Sequence, residues 1–208
     1  MSAPRTCFIL TLAAVAASLV LAGCGPSKPI QSGGESAASG TALIGGPFQL
    51  ADQDGRTVNQ SVLNGKWSAV FFGYTYCPDV CPTTLQTLAQ AKAALGAAAK
   101  DLQVVFVSVD PDRDTPAQMK AYLATPAFPQ PTLGLTGSAA QVAAAAKAYR
   151  VFYQRQGGGE GYAVNHSAII YLMNPEGKFD RVMAESLTPA EIATQIRQAM
   201  DAGPKVRS

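Results

Sequence analysis

The sequence predicts an α/β layer sandwich with an N-terminal β-hairpin extension, and three observations carry that expectation. Short runs rich in β-branched and aromatic residues alternate with Ala- and Leu-rich stretches at helical spacing. Residues 102–110, LQVVFVSVD, form a nearly continuous apolar run, the pattern of a strand covered on both faces. Two further stretches open with Thr-Pro-Ala followed by Gln or Glu, which is a helix-start signal. The 208 residues are 48% hydrophobic and 14% charged, enough to bury one core once the ends are set aside.

The elements follow in order. PFQLADQDGRTVNQ holds two short extended runs about Asp54-Gly55, a hairpin that starts the domain near Pro47. Residues 66–72 read as a buried strand. Residues 83–100 read as a helix, with Leu85, Leu88, Ala89 and Leu95 on one face; Lys92 interrupts that face, its stem able to lie along apolar surface with the ammonium in water. The strand 102–110 is followed by a helix opening at Thr115-Pro116, a short Ala-rich helix over 138–149, and a strand over 151–154. Strands 168–173 and 178–182 turn at Asn174-Pro175-Glu176-Gly177, and Thr188-Pro189 opens the last helix. This order, β-β, β-α, β-α, α, β, β-β, α, is a sandwich of thioredoxin type.

The ends carry a different message. Arg5 and the thirteen largely apolar residues 8–20, followed by Leu21-Ala22-Gly23-Cys24, read as a bacterial lipoprotein signal peptide over 1–23, cleaved before a lipidated Cys24. The apolar run is shorter than the roughly 20 residues of a spanning helix. Residues 24–46 have the Gly, Ser, Ala and Pro content of a flexible linker with a reach of roughly 25 Å. Residues 47–202 make the domain and 203–208 a tail. The expected location is extracytoplasmic, a bacterial periplasm or its equivalent, on a membrane. A net charge of +2 with scattered basic residues and 8% aromatics argues against nucleic-acid binding.

Removing Cys7 with the signal and Cys24 to the lipid leaves Cys77 and Cys81 in GYTYCPDVCP. A bridge closing so small a loop constrains little, so a purely structural staple is disfavoured. A strand ending near Phe72 and a helix beginning near Cys81 place both thiols at a helix N-terminus, which favours thiolate. Thiolate attacks disulfides and also binds metals, and the environment alone does not choose. The spacing does more: a dithiol oxidoreductase carries Cys-x-x-Cys, whereas three residues intervene here. The single histidine, His166, lies 85 residues after Cys81 at the start of a strand that a thioredoxin-like sheet places beside the active-site helix. Two sulfurs and an imidazole suit Cu(I) and Cu(II); structural zinc would want a fourth ligand.

FFGYTYCPDVCPTTL (71–85), VVFVSVDPDRDTPAQMKAYL (104–123) and YAVNHSAIIYLMNPEGKF (162–179) resemble the Sco family, also called SenC or PrrC, over most of 47–202. The family consists of thioredoxin-like copper proteins that assist assembly of the CuA centre of cytochrome c oxidase. The resemblance implies one copper per chain, with Cys77, Cys81 and His166 as ligands. It implies a metallochaperone without turnover, whose partners are the CuA-bearing oxidase subunit and another copper chaperone. The alternative is an enzyme, a thiol–disulfide reductase of the oxidase cysteines or other exported thiols, in which Cys77 attacks and Cys81 resolves. Asp110 matches an acidic position linked to partner contact or site geometry, with a strand-end loop cap as the plainer reading. Asp79 is equally a solvated acid at a helix start. Tyr76 stands where many members have His, and Asn165 where they have Asp; the lost charge bears on His166 orientation.

Other candidates read as structure. Met119, Met173, Met183 and Met200 are dispersed like core filler. DPDRD lacks the spacing and glycine of a calcium loop, and GGGEG reads as a mobile hairpin tip.

Overall fold

The computed structural model describes residues 44–159 and 161–204. The signal peptide, Cys24, most of the expected linker and residues 205–208 lie outside the described residues. In chain order the elements are β1 Gln49–Asp52, β2 Thr57–Asn59, β3 Trp67–Gly73, α1 Val80–Ala94, β4 Leu102–Ser108, α2 Pro116–Leu123, β5 Thr132–Thr136, α3 Ala139–Tyr149, β6 Tyr153–Gln156, β7 Ala163–His166, β8 Ile169–Met173, β9 Phe179–Ala184 and α4 Pro189–Ala202.

Seven strands form a mixed sheet in the order β2-β1-β5-β4-β3-β8-β9. The central strands β3, β4 and β5 are parallel, while β8 returns antiparallel to β3. All seven residues of β3 are buried, as a central strand with helices on both faces requires. Alternation sorts its side chains: Phe71 lies 6.0 Å from Phe106, and Phe106 meets Tyr122 of α2, whereas Phe72 meets Tyr149 of α3. The α1 and α4 helices lie side by side, and Arg197 of α4 donates to the Ala94 carbonyl at the end of α1.

Local chemistry explains the boundaries. Ser138 with Gln141 and Thr188 with Glu191 form complete capping boxes at α3 and α4. At α2 only half the expected device is used: Thr115 accepts from the Gln118 backbone amide, while the Gln118 side chain reaches Thr75 instead. The helix expected over 83–100 begins earlier and ends at Ala94, because Gly96 takes φ +60 and residues 96–101 continue as a 3-10 turn.

Two strands were not expected. In β5 the strand pattern is broken by Gly134, whose missing side chain makes room for Leu123: a Cβ there would stand 2.5 Å from the Leu123 Cδ1. The four-residue β7 follows the glycine run directly and pairs only with β6, as a separate two-stranded ribbon. Met119, Met173 and Met183 are fully buried and Met200 packs against the core, as filler should. Lys92 is half-buried, its ammonium 3.5 Å from the Gln130 carbonyl. Among the described residues no helix is long and apolar enough to cross a membrane.

Leu88 is completely buried on α1. Leu88→Ala is expected to destabilise the domain by about 2–5 kcal/mol in urea unfolding, the sum of lost burial and the cavity left behind. A loss below about 1 kcal/mol would mean that α1 is not a core helix.

Candidate metal centre

The site begins where β3 ends. Past Gly73 the chain turns at residues 74–77, with the Cys77 amide donating to the Tyr74 carbonyl at 3.2 Å, and re-enters order as α1. Asp79 occupies the N-cap position without a side-chain cap, so the first amides of α1 stay directed at the loop. The Cys81 amide donates to the Cys77 sulfur at 3.4 Å. The third group arrives from β7, where His166 stands opposite Tyr153 and puts Nε2 3.5 Å from the Cys81 sulfur.

Two sulfurs and one ring nitrogen thus lie within 4.8 Å of one another, and they are the one Cys/His/acid group of three or more among the described residues with metal-site geometry. Cys81 is buried, while Cys77 and His166 are half-buried, so the cluster opens to the surface on one side. The His166 Nδ1 lies 3.3 Å from the Ser167 carbonyl. A carbonyl only accepts, so Nδ1 carries the proton and Nε2 turns its lone pair towards the thiols. Tyr74 and Phe71 present ring contacts to the imidazole at 5.9 and 6.1 Å between centroids.

The two thiols are electrostatically unlike. The Cys81 thiol donates to the Cys77 sulfur, and this bond holds Cys77 far below the usual thiol range despite its partial burial; the amides of Cys81 and Asp79 act in the same direction. The same bond and deeper burial push Cys81 up. Both directions favour the thiolate at Cys77 and the shared proton at Cys81.

Space for the Cys81 sulfur is created by Gly73: a Cβ there would lie 2.7 Å from that sulfur and 2.8 Å from Phe106. The cysteine loop is pinned by Asp114, fully buried, which accepts from the Thr75 amide, from the Thr75 hydroxyl at 2.6 Å and from the Ser108 hydroxyl at 2.7 Å. Sequence reasoning passed over both. Gly73 was legible as a small residue directly after a buried strand; Asp114 was seen only as part of DPDRD.

The structure brings Cys77, Cys81 and His166 together but not the other candidates. Asp79 is exposed, its carboxylate 3.4 Å from the Thr83 hydroxyl. Asn165 is exposed and opposite Gln154, on the face of β7 turned away from Val164 and His166. Asp110 is buried and engaged, accepting from Arg113 Nε at 2.6 Å and from the Tyr162 hydroxyl at 2.5 Å. Tyr76 is 53% exposed, with the Arg113 guanidinium 4.7 Å from its ring. Val80, beside Cys81 in the chain, and Phe152, which pairs with Ser167 next to His166, are also exposed.

Residues 36–201 match the family model described as SCO1/SenC. The Arabidopsis thaliana mitochondrial SCO1 homolog 1 is 39% identical over 171 residues, 79% of this chain and 50% of that protein, so the chain spans half the length of that relative. The structure of Bradyrhizobium japonicum ScoI with copper bound is 43% identical, with a TM-score of 0.68 over 74% of this chain and 98% of that one. A SCO1/SenC family lipoprotein from Bacillus anthracis is 28% identical at a TM-score of 0.64 over 75% and 94%. BsSco, described as a member of the Sco family of cytochrome c oxidase assembly proteins with a disulfide switch, is 26% identical at 0.60 over 75% and 93%. The thioredoxin-like layer sandwich is therefore the fold of this chain and its solved neighbours.

Two outcomes are expected of the metal-free domain. Iodoacetamide should label Cys77 alone, at a rate nearly flat from pH 6 to 8, where an ordinary thiol gains about tenfold per pH unit. A rate that climbs in that way would mean Cys77 is protonated at neutral pH. Gly73→Ala should cost about 1–3 kcal/mol by overpacking and displace the Cys81 sulfur, weakening copper binding measured by competition with a chelator. Unchanged affinity would show that the sulfur has room to move.

Proposed function

Since the chain belongs to the SCO1/SenC family, we propose that it is a membrane-tethered copper metallochaperone that assists assembly of the CuA centre of cytochrome c oxidase. One observation carries the reading: two thiols and an imidazole converge within 4.8 Å just past the end of the central strand β3. That donor set fits a soft ion, and the lone pair offered by Nε2 extends it to Cu(II). Each residue has a definable task. Cys77 offers a thiolate already formed, Cys81 gives up the remaining proton on binding, and His166 completes the set and selects between oxidation states. Copper is cargo here, and transfer requires that a partner's ligands reach it. The exposed side chains of Tyr76, Val80 and Phe152 suit such a docking partner, the oxidase subunit or another copper chaperone.

The tether is part of the proposal: a signal peptide over 1–23, lipid on Cys24, a linker to residue 46 and the copper domain over 47–202, held at an extracytoplasmic membrane face. The lipobox-like Leu21-Ala22-Gly23-Cys24 and the Bacillus anthracis lipoprotein relative support it.

A second reading is favoured by the unlike thiols. A half-exposed thiolate beside a buried thiol is also the arrangement of an attacking and a resolving cysteine, and BsSco is described with a disulfide switch. A reductase needs the dithiol and not the imidazole.

Residues 44–204 should bind one copper per chain, with a sulfur-to-Cu(II) charge-transfer band lost in Cys77→Ser and Cys81→Ser. His166→Ala should retain Cu(I) and lose Cu(II) affinity. In a host with a CuA oxidase, deletion of the gene should lower oxidase activity most under copper limitation, with rescue by the wild type only. Full rescue by His166→Ala alongside failure of Cys77→Ser would replace copper carriage by the three-ligand site with thiol reduction or delivery by the thiols alone.

A further inference from the structure

His166 rides on a ribbon that the main sheet does not hold. The β6 and β7 strands pair only with each other, although the Val164 side chain packs into the core and its backbone meets the Tyr74 side chain; at the root of the ribbon Ser167 and Phe152 exchange two bonds, at 2.9 and 3.1 Å. At its far end Gly157, Gly158, Gly159 and Gly161 have no atom within 4 Å of where a Cβ would sit, so the tip adds no packing. Between root and tip stands Tyr162, four residues before His166 and buried. Its hydroxyl donates to Asp110 at 2.5 Å, on the loop after β4. The other oxygen of Asp110 accepts from Arg113 at 2.6 Å. Two guanidinium groups stack on the Tyr162 ring, Arg113 from the body at 3.6 Å and Arg155 from the ribbon's own β6 at 3.5 Å. Arg113 also reaches the rings of Tyr76 and Tyr74 in the cysteine loop, at 4.7 and 5.7 Å.

We propose that Tyr162 is a latch: anchored on Asp110 and clasped by Arg113 and Arg155, it fixes the ribbon against the body of the domain and so sets the reach of His166 to the two thiols. This rests on the three-ligand reading and assigns the positioning residue for the ligand that the ribbon carries. The logic is geometric. Tyr162 directly precedes β7 and His166 ends it four residues on, about 13 Å at extended spacing, so alternation puts both on one face and a tilt of the ribbon at Tyr162 is delivered at the imidazole. The thiols have supports of their own, because Asp114 and α1 hold them to the sheet. Losing the latch should therefore affect the oxidation state that needs the imidazole and spare the one the thiols hold alone. Asp110, matched in the sequence to an acidic family position, acquires a definite task as the anchor of this latch.

The test uses Tyr162→Phe, which removes the hydroxyl and keeps the ring between the two guanidinium groups. Cu(II) affinity should fall about tenfold, the scale of a lost group that orients a ligand, and the charge-transfer band should shift, while Cu(I) affinity stays within about twofold. Asp110→Ala, which removes the acceptor and also releases Arg113, should do the same or more, and adding Tyr162→Phe to it should cost nothing further, because the Tyr162–Asp110 bond is already gone. A merely structural role would lower the unfolding midpoint and weaken both oxidation states together, which would overturn the latch; so would Cu(II) binding equal to the wild type. His166→Ala run in parallel separates the two ideas. If it binds Cu(II) as the wild type does, the three-ligand reading fails, and hydrogen exchange over 153–156 and 163–166 in metal-free Tyr162→Phe then decides: faster exchange upholds the latch and unchanged exchange overturns it.

Discussion

A single buried carboxylate ties the two halves of this architecture together. Asp114 lies after β4, yet it accepts from the amide and hydroxyl of Thr75, in the loop after β3, and from Ser108 at the end of β4. A carboxylate so far from water is costly, and its burial raises its own pKa. Three donors converging on it offset that cost and turn it into a rivet between neighbouring loops. Thr75 precedes Cys77 by two residues, so the position of the first sulfur follows from this rivet. Gly73 on one side and the start of α1 on the other then leave the second sulfur a single place to sit.

The arrangement divides labour between a stiff part and a hung part. The thiols stand at the end of a wholly buried central strand, where β3 and β4 pair along seven positions. The imidazole stands on a four-residue strand of a detached ribbon. On the proposed function, this division would let the thiols take a soft ion and the imidazole be added from a separately paired segment, as suits a carrier that must both hold its cargo and let it go.

What the residues disclosed, and what they hid, follows from the range of each interaction. Apolar runs and Thr-Pro starts are local, so β3, β4, α2 and α4 were legible within a residue or two, and the helix start beside Cys81 with them. Cys77, Cys81 and His166 were legible because soft donors are scarce in this chain and their spacing is informative. β5 and β7 escaped because Gly134 and a glycine run interrupt their patterns, and the room that Gly134 leaves is taken by Leu123 of α2, which no local pattern reveals. The Asp114–Thr75 contact spans 39 positions and the Tyr162–Asp110 contact 52. No period or propensity encodes such pairings. Asn165 was singled out as a neighbour of His166 in sequence, but strand alternation sends the two side chains to opposite faces.

The outer strands of the sheet bear on how copies of the domain tolerate one another. β2 has only three residues, and β9 carries the Asp180–Arg181 ion pair and a register shift opposite Leu172 and Met173. A short margin and a charged, irregular margin both deny an incoming strand a straight row of free amides and carbonyls. Copies of the domain that meet can therefore jostle without their sheets fusing along these margins.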